Sequence, residues 1–472
     1  MKAGVINCKA FFDAGMRIDP DVHLSEGSVI RNELNHLPYQ LSTVGENAAD
    51  VFYGNIFSRI FVQDPEHGMP YLAASDTVLA NLDTGRFLSK KQAAQLSYLI
   101  LKKDWILVTC SGTLGNVTYT NKTFENHIAT HDLIRIIPNS NKVNKGTLYA
   151  FLASKFGYYQ ITQSQFGGVV KHINTDQTKS IIVPVFPADF QQDVDDMIQE
   201  SARLRERASE LLVSANELLM TYTGLSKLSP EDYDYFGPSS ASRKVSTFYR
   251  HISEIGSLSF NAFNHSERIR TNLLNRLSNL KTIPLFEAIE SGVMRSPIGV
   301  EVQELKKGHG IMLINQSDIF NQIVEGKWVV KKPKYLNHLL ELDEILIAKI
   351  GTLGENETFC RCVYVGEELK GQLISSAFFR LSASSSVPSG YLFAWLSSDY
   401  GFRLIRSSQF GTKQCYPNPA ILYKYPVPII DIDKMTEIDA MVKEAHHLQH
   451  LSNNNERNAI AKVEQEIEKW NK

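Results

Sequence analysis

Residues 104–115 read DWILVTCSGTLG and residues 343–354 read DEILIAKIGTLG, an offset of 343−104=239. In each, an apolar and partly β-branched run (WILVTC at 105–110, ILIAK at 345–349) leads into Gly-Thr-Leu-Gly. Such runs predict strands. Glycines at both ends of the turn, Gly112 with Gly115 and Gly351 with Gly354, permit positive φ and a tight reversal. A returning strand is expected at about 117–120 in the first copy.

The match extends both ways. Upstream, YLAASD (71–76) meets LINQSD (313–318), offset 242. Downstream, AFLASKFGYYQITQSQFG (150–167) meets AWLSSDYGFRLIRSSQFG (394–411), offset 244, and VPV (183–185) meets YPV (425–427), offset 242. Motif order is kept and the offsets drift by only a few residues, as loop insertions produce. The chain is therefore read as a tandem duplication. Each copy exceeds 200 residues, far above a solenoid period, so each can bury its own core. Within a copy, LIRII (133–137) and FFRLS (378–382) predict strands, 148–154 and 391–397 predict helix, and Ser-Gln-Phe-Gly (164–167, 408–411) predicts a loop. The runs 181–187 and 423–429 predict closing strands, with proline at an edge or strand end. The expected fold class is α+β: two homologous mixed α/β domains separated by two long helices.

The pattern changes after each closing strand. Apolar residues recur about every 3.5 positions at Val194, Ile198, Leu204, Ala208, Leu211, Ala215, Leu218 and Tyr222, the period of a coiled-coil seam. After the second copy they are Met435, Ile438, Val442, Ala445, Leu448, Ala459, Val463, Ile467 and Trp470, with the polar run SNNNERN (452–458) interrupting. A seam of 30 or more residues is ~50 Å long. That favours an antiparallel coiled-coil spacer over two helices each packed on its own domain. The expected boundaries are 1–187 for the first domain with its lead-in, 188–222 for the first helix, 223–257 for a Gly/Pro/Ser linker and second lead-in (FGPSSAS at 236–242), 258–430 for the second domain and 431–472 for the second helix.

Composition narrows the class. The chain has 472 residues, 43% hydrophobic and 21% charged, which excludes wholesale disorder. No stretch approaches the ~18 apolar residues of a membrane helix. The opening MKAGVINCKAFFDAG lacks a basic flank followed by an apolar run, so a secretory signal is not expected. Five cysteines without a C-x-x-C pair predict neither a disulfide framework nor zinc, and a cytoplasmic setting. Net charge is −2, from 49 basic and 51 acidic residues. Residues 1–240 carry 21 basic and 26 acidic residues (−5), leaving 49−21=28 and 51−26=25 (+3) for the rest. Any nucleic-acid contact must therefore rest on local charge or on a partner.

Catalytic motifs are missing. There is no G-x-G-x-x-G after a strand, no G-x-x-x-x-G-K-[ST], no H-E-x-x-H and no G-x-S-x-G. The Asn-Pro-Pro-Tyr motif type of amino-methylating DNA methyltransferases is also absent, since Asn418-Pro419 leads into Ala420. Asp318 with Glu325 and Lys327 mimics the acid, acid-x-lysine order of a metal-dependent nuclease, without a counterpart in the first copy. A protein–protein scaffold with duplicated peptide-binding domains is a third class. The chain itself is expected to be non-catalytic and to hold no cofactor or metal. Two related units about a pseudo-two-fold axis suit a bipartite duplex target, whose half-site separation the spacer would set.

The doubled series of Gly-Thr-Leu-Gly turns, Ser-Gln-Phe-Gly segments, proline-marked closing strands and heptad helices resembles the specificity subunits of type I restriction-modification systems, over nearly the whole chain. That resemblance implies two target recognition domains, each followed by a spacer helix. It implies double-stranded DNA as ligand and two DNA adenine methyltransferase (modification) subunits carrying S-adenosylmethionine. ATP-dependent restriction subunits join in that family. A related phage-defence system using the same subunit with another effector is the alternative.

Base reading needs donors and acceptors on exposed loops, and phosphate contacts need Lys, Arg and hydroxyls. Candidates in the first copy are Asn116, Tyr119, Asn121 and Lys122 beyond the hairpin turn, and Gln163, Gln165, Lys171, His172 and Asn174 around the Ser-Gln-Phe-Gly segment. In the second copy they are Lys331, Lys332, Lys334, Arg361, Lys413, Gln414 and Tyr416. A feature present in both copies cannot alone distinguish two half-sites. The divergent stretches 116–127 and 355–372 are therefore the favoured specificity segments.

Overall fold

The computed structural model describes residues 8–13, 16, 23–112, 114–139, 142–163, 172–229, 232, 248–255, 258–266, 272–354 and 357–470. Thr113, the 164–167 segment with Gln165, Lys171 and the 236–242 stretch lie outside the described residues. The chain divides into two compact units, Met1–Glu206 with Leu451–Lys472, and Arg207–His450. Each unit thus holds one repeat copy, the first half of the long helix that follows it, and the second half of the other long helix.

In the first unit the strands are β1 (Gln40–Thr43), β2 (Ala48–Phe52), β3 (Phe61–Val62), β4 (Gly68–Leu72), β5 (Phe87–Ser89), β6 (Ile106–Thr109), β7 (Val117–Tyr119), β8 (Ile128–Ala129), β9 (Leu133–Pro138) and β10 (Ile182–Val185). They form sheets β2-β9-β6-β7 and β3-β5-β4-β8 and the closing pair β1-β10. In the second unit they are β11 (Thr282–Pro284), β12 (Ile311–Ile314), β13 (Lys327–Val329), β14 (Glu344–Ala348), β15 (Cys362–Tyr364), β16 (Leu373–Ile374), β17 (Phe378–Ser382), β18 (Gln409–Phe410), β19 (Tyr416–Pro417) and β20 (Pro426–Pro428). Their sheets are β15-β14-β17, β13-β12-β16, β18-β19 and the closing pair β11-β20. Pairings of the first unit recur in the second at equivalent positions. Parallel Tyr71↔Ile128 corresponds to Leu313↔Leu373, and antiparallel Ile106↔Ile136 to Ile345↔Leu381.

The first residue of the quoted stretches explains part of this recurrence. Asp104 and Asp343 both adopt positive φ, 68° and 67°, entering the central strand. Each carboxylate then accepts a hydrogen bond from a tyrosine on the returning strand, Tyr119 or Tyr364. An aspartate tolerates this left-handed geometry better than most side chains.

The cores superpose residue by residue in sequence terms. Ile106, Val108, Ile134, Ile136, Leu148, Phe151 and Leu152 are buried in one unit, and Ile345, Ile347, Phe379, Leu381, Leu392, Trp395 and Leu396 in the other. Behind the sheet stands a helix pair, Lys145–Ala153 with Lys155–Gln163 in the first unit and Ser389–Ser397 with Asp399–Ser407 in the second. Its first turn docks on the following long helix. The Gly146 amide donates to Asp195 Oδ1 and the Gly390 amide to Asp439 Oδ1, both at 2.6 Å. A Cβ on either glycine would fall within 3 Å of that aspartate, so glycine permits the approach.

The long helices run Ala188–Thr223 and Ile432–Trp470. In the first unit Asp193 pairs with Lys462 and Ser201 meets Ser452, with residue-number sums 193+462=655 and 201+452=653. In the second, Ala208 and Leu211 pack with Ala445, and Tyr222 donates to Glu437, with sums 208+445=653 and 222+437=659. A near-constant sum means antiparallel segments. Leu219 rather than Leu218 is the buried seam residue, and Trp470 lies half-exposed over Tyr39.

The polar run 452–458 does not break the second helix. Ser452, Asn453 and Glu456 are buried. Glu456 binds Arg205 at 2.5 Å and accepts from the Tyr149 hydroxyl, while Asn453 accepts from Arg205 at 3.1 Å. The sequence pattern looks broken because apolar side chains have been replaced by a hydrogen-bonded polar layer. The equivalent positions in the second unit, Ala445, Ala208, Gln449 and Leu212, lack that polar layer's serines and carboxylate. A buried polar layer of this kind fixes helix register at a cost in stability. Glu456→Ala should leave Arg205 without its carboxylate and cost about 3 kcal/mol in denaturant unfolding. Replacing both with leucine should recover most of that loss. An unchanged midpoint for Glu456→Ala would show that the layer is idle.

His446, on the second long helix, stacks on Tyr364 at 5.0 Å and meets the edge of Phe393 at 5.6 Å. Burial lowers its pKa to about 4, against the opposing Gln449 hydrogen bond and Glu367 charge. The unfolded chain then binds the proton more readily than the folded one. Stability should fall as pH drops from about 6.5 towards 4, by on the order of 2 kcal/mol. The pH dependence over that window should shrink in His446→Phe. His447 and His450 face Glu367 and Glu368 and are retained in that comparison.

Candidate nucleic-acid interface

In each unit the hairpin that begins at the quoted stretch meets the segment that follows the helix pair. In the first, Ser111 bridges His172, and the Ile173 amide donates to the Cys110 carbonyl at 3.2 Å. In the second, Gly351 bridges Cys415, with the Cys415 amide donating to the Gly351 carbonyl at 2.7 Å. Two pieces of chain far apart in sequence thus form one loop cluster at one end of the sheet.

The two hairpin loops differ. The first spans 110–116, and Gly112 and Gly115 take φ of 73° and 86°, as the glycine reading expects. The second spans 349–361, six residues longer. There neither Gly351 nor Gly354 has positive φ, and the left-handed position falls to Cys360 at 68°. Identical Gly-Thr-Leu-Gly sequences therefore serve different turns, because the second loop reverses six residues later. Thr109 Oγ1 closes the short loop by accepting from the Asn116 amide at 3.0 Å. Three guanidinium hydrogen bonds hold the long one. Buried Arg406 donates to the carbonyls of Leu353 (3.1 Å), Gly354 (2.7 Å) and Phe359 (3.4 Å).

The candidates separate into groups. Asn116 and His172 are half-buried and lie at the first unit's loop cluster. Tyr119 and Asn121 are withdrawn as exposed readers. The Tyr119 hydroxyl binds Asp104 and Gln199, and Asn121 caps the turn 122–124 through the Thr123 amide and reaches the Ala202 carbonyl. Lys122 is exposed, but its amide donates to Glu206, at the opposite end of β7 from the loop. Asn174 is the N-cap of helix Thr175–Lys179, in a reciprocal capping box with Gln177. Gln163 is buried at the end of its helix. Propensity alone cannot tell a capping asparagine from a reading one.

In the second unit Ser-Gln-Phe-Gly is not a loop. Ser408 caps a helix, and Gln409 and Phe410 form β18, paired with β19 around Gly411. The Gln409 carbonyl accepts from Asn261 and Asn264, a structural role. Lys413 and Gln414 are exposed at the hairpin tip, and the Tyr416 hydroxyl donates to Gln414 Oε1 at 2.9 Å. Arg361 lies 4.6 Å over the Phe402 ring and donates to the Glu357 carbonyl at 3.3 Å. The lysines sit on the β13-β12-β16 side. Lys332 and Lys334 both bind Glu301, at 2.7 and 2.9 Å, and their hydrogen bonds, aided by their charges, draw its carboxyl down to about 2, while Lys331 is exposed. Glu325 pairs with Lys307 and Lys327 with Glu304, so the acid-x-lysine string is spread over separate ion pairs. Among the described residues no cluster of three or more His, Cys, Asp or Glu is placed to hold a metal. Burial pushes the Cys110 and Cys362 thiols up to about 12, so both stay protonated packing groups. Arg406 escaped the sequence reading. Its signal was the substitution of an arginine for the first copy's Thr162 within the matched helix.

The profile of the type I restriction modification DNA specificity domain matches residues 50–200. That range holds the first hairpin, its helix pair, the closing strand β10 and the start of the first long helix. No curated protein matches the chain. A type I restriction-modification S subunit from M. genitalium aligns at 13% identity, covering 92% of this chain and 96% of that one, with a TM-score of 0.31. An HsdS subunit from Thermoanaerobacter tengcongensis aligns at 12% identity, covering 91% and 96%, with a TM-score of 0.27. Scores this low establish no correspondence of architecture. No described helix is long and apolar enough to cross a membrane. Residues 50–200 are thus similar to the type I restriction modification DNA specificity domain.

Proposed function

We propose that this chain is the sequence-recognition subunit of a type I restriction-modification system, reading a bipartite duplex target with one loop cluster per unit. The carrying observation is a repeated frame with unequal loops: the same Asp–Tyr closure and core in both units, but hairpin loops of seven and thirteen residues (110–116 and 349–361). A shared frame presents two reading surfaces in the same way, and unequal loops let them select different bases. Asn116 and His172 serve the first surface, and Arg361, Lys413, Gln414 and Tyr416 the second. In this reading Lys331 and the Lys332/Lys334 pair contact phosphate. Gln165 and Lys171 remain candidates by sequence.

The paired long helices act as an antiparallel spacer. At ~1.5 Å per residue their ~50 Å span matches roughly one and a half turns of duplex, which needs little reading in between. The chain performs no chemistry of its own in this reading. Two modification subunits supply S-adenosylmethionine and methylate adenine, and restriction subunits use ATP. Its near-neutral charge leaves much of the phosphate attraction to those partners.

Methylome sequencing of cells with and without the gene tests this. One bipartite adenine-methylated motif should vanish on deletion; its persistence would refute the assignment. Exchanging residues 24–187 for the equivalent of a related subunit should change one half of the motif and leave the other. A change in both halves would contradict the two-reader scheme.

A further inference from the structure

We infer that Arg406 is a positioning residue for base reading by the second unit, holding the 349–361 hairpin loop in its reading shape. The inference rests on the recognition function proposed above. Arg406 is fully buried near the end of helix Asp399–Ser407. Its guanidinium spans the long loop, binding Leu353 and Gly354 on the outgoing limb and Phe359 on the returning limb. The Gly354 carbonyl also accepts from the Glu357 amide at 3.0 Å, but without the guanidinium the Leu353 and Phe359 carbonyls would need water or another conformation. A planar fork with five N–H groups ties both limbs in one fixed geometry, whereas an ammonium offers three donors from a single point.

The same side chain organises the surface group beside it. Arg406 lies 4.4 Å over the Phe402 ring and Arg361 lies 4.6 Å over it. Phe402 is buried, so its ring is a fixed plate on which Arg361 rests at the end of the loop. Displacing Arg406 therefore moves both the loop and the seat of Arg361, the half-exposed guanidinium best suited to a guanine edge.

The first unit shows the alternative. The equivalent position is Thr162 (162+244=406), and its short loop sits directly on that helix. A Cβ at Gly115 would come to 3.0 Å from Tyr158 and 3.3 Å from Thr162. The seven-residue loop is held by close packing, and the thirteen-residue loop by a guanidinium.

The test uses the full chain assembled with its methyltransferase partner on a randomised duplex library, with methylated products sequenced. In Arg406→Thr, discrimination in the half-site read by the second unit should fall about tenfold at one or more positions, with the other half unchanged. Arg406→Lys, which keeps the charge but not the fork, should fall between. Undiminished selectivity in Arg406→Thr would overturn the inference while leaving the function proposal standing. So would equal loss in both halves, or unfolding of the second unit in both variants, either of which marks a merely structural residue. Absence of any bipartite motif with the unaltered chain would instead overturn the function proposal, and this inference with it.

Discussion

Cover for two long amphipathic helices is the constraint on which the rest depends. A helix of 36 or 39 residues with one apolar stripe must bury that stripe along its length. Here each is covered in two halves. In the first unit Val194, Ile198 and Ala202 join the core beside the sheet, together with Ala459, Val463 and Ile467. In the second unit Met435, Ile438 and Val442 join it, together with Ala215 and Leu219. The positions correspond with a single offset, since 194+244=438, 215+244=459 and 219+244=463. The duplication thus reproduces the docking surface for a helix end as well as the domain itself.

The equivalence is broken at particular positions. Ser201, Arg205, Ser452 and Glu456 make a polar layer in the first unit, against alanine and leucine at most of the matching places. The arginines of β9 and β17 differ likewise. Arg380 is neutralised by buried Glu344, with Arg295 on the same carboxylate. Arg135 donates to the carbonyls of Leu133, Ala129 and Thr130, and burial draws its pKa down to about 10. Two copies can keep one frame while their ion pairs and loops drift, because the frame depends on apolar burial and backbone pairing rather than on those charges.

Repetition made the frame legible in sequence. A lone DWILVTC is a weak strand signal, but two copies in matching order placed the main strands, the first helix of each pair and the closing strand to within a few residues, while the second helices, Lys155–Gln163 and Asp399–Ser407, went unread. The long helices were legible from period alone. Other features were not. Gly351 and Gly354 look like Gly112 and Gly115, yet loop length decided which residue turns. Asn121 and Asn174 are capping residues, and Tyr119 closes a half-buried aspartate, all chemically apt for DNA but used internally. SNNNERN read as an interruption because its partners, Arg205 and Tyr149, lie some 250 to 300 residues away. Polar residues buried by distant partners leave no local pattern.

The central claim is that two loop clusters read two separated stretches of one duplex. Dimethyl sulfate protection footprinting of the full chain with its modification partner, on a duplex carrying the methylated motif, measures this most directly. Base-specific protection should fall in two blocks, one per half of the motif, with unread base pairs between them. Reading confined to one continuous block would contradict the account.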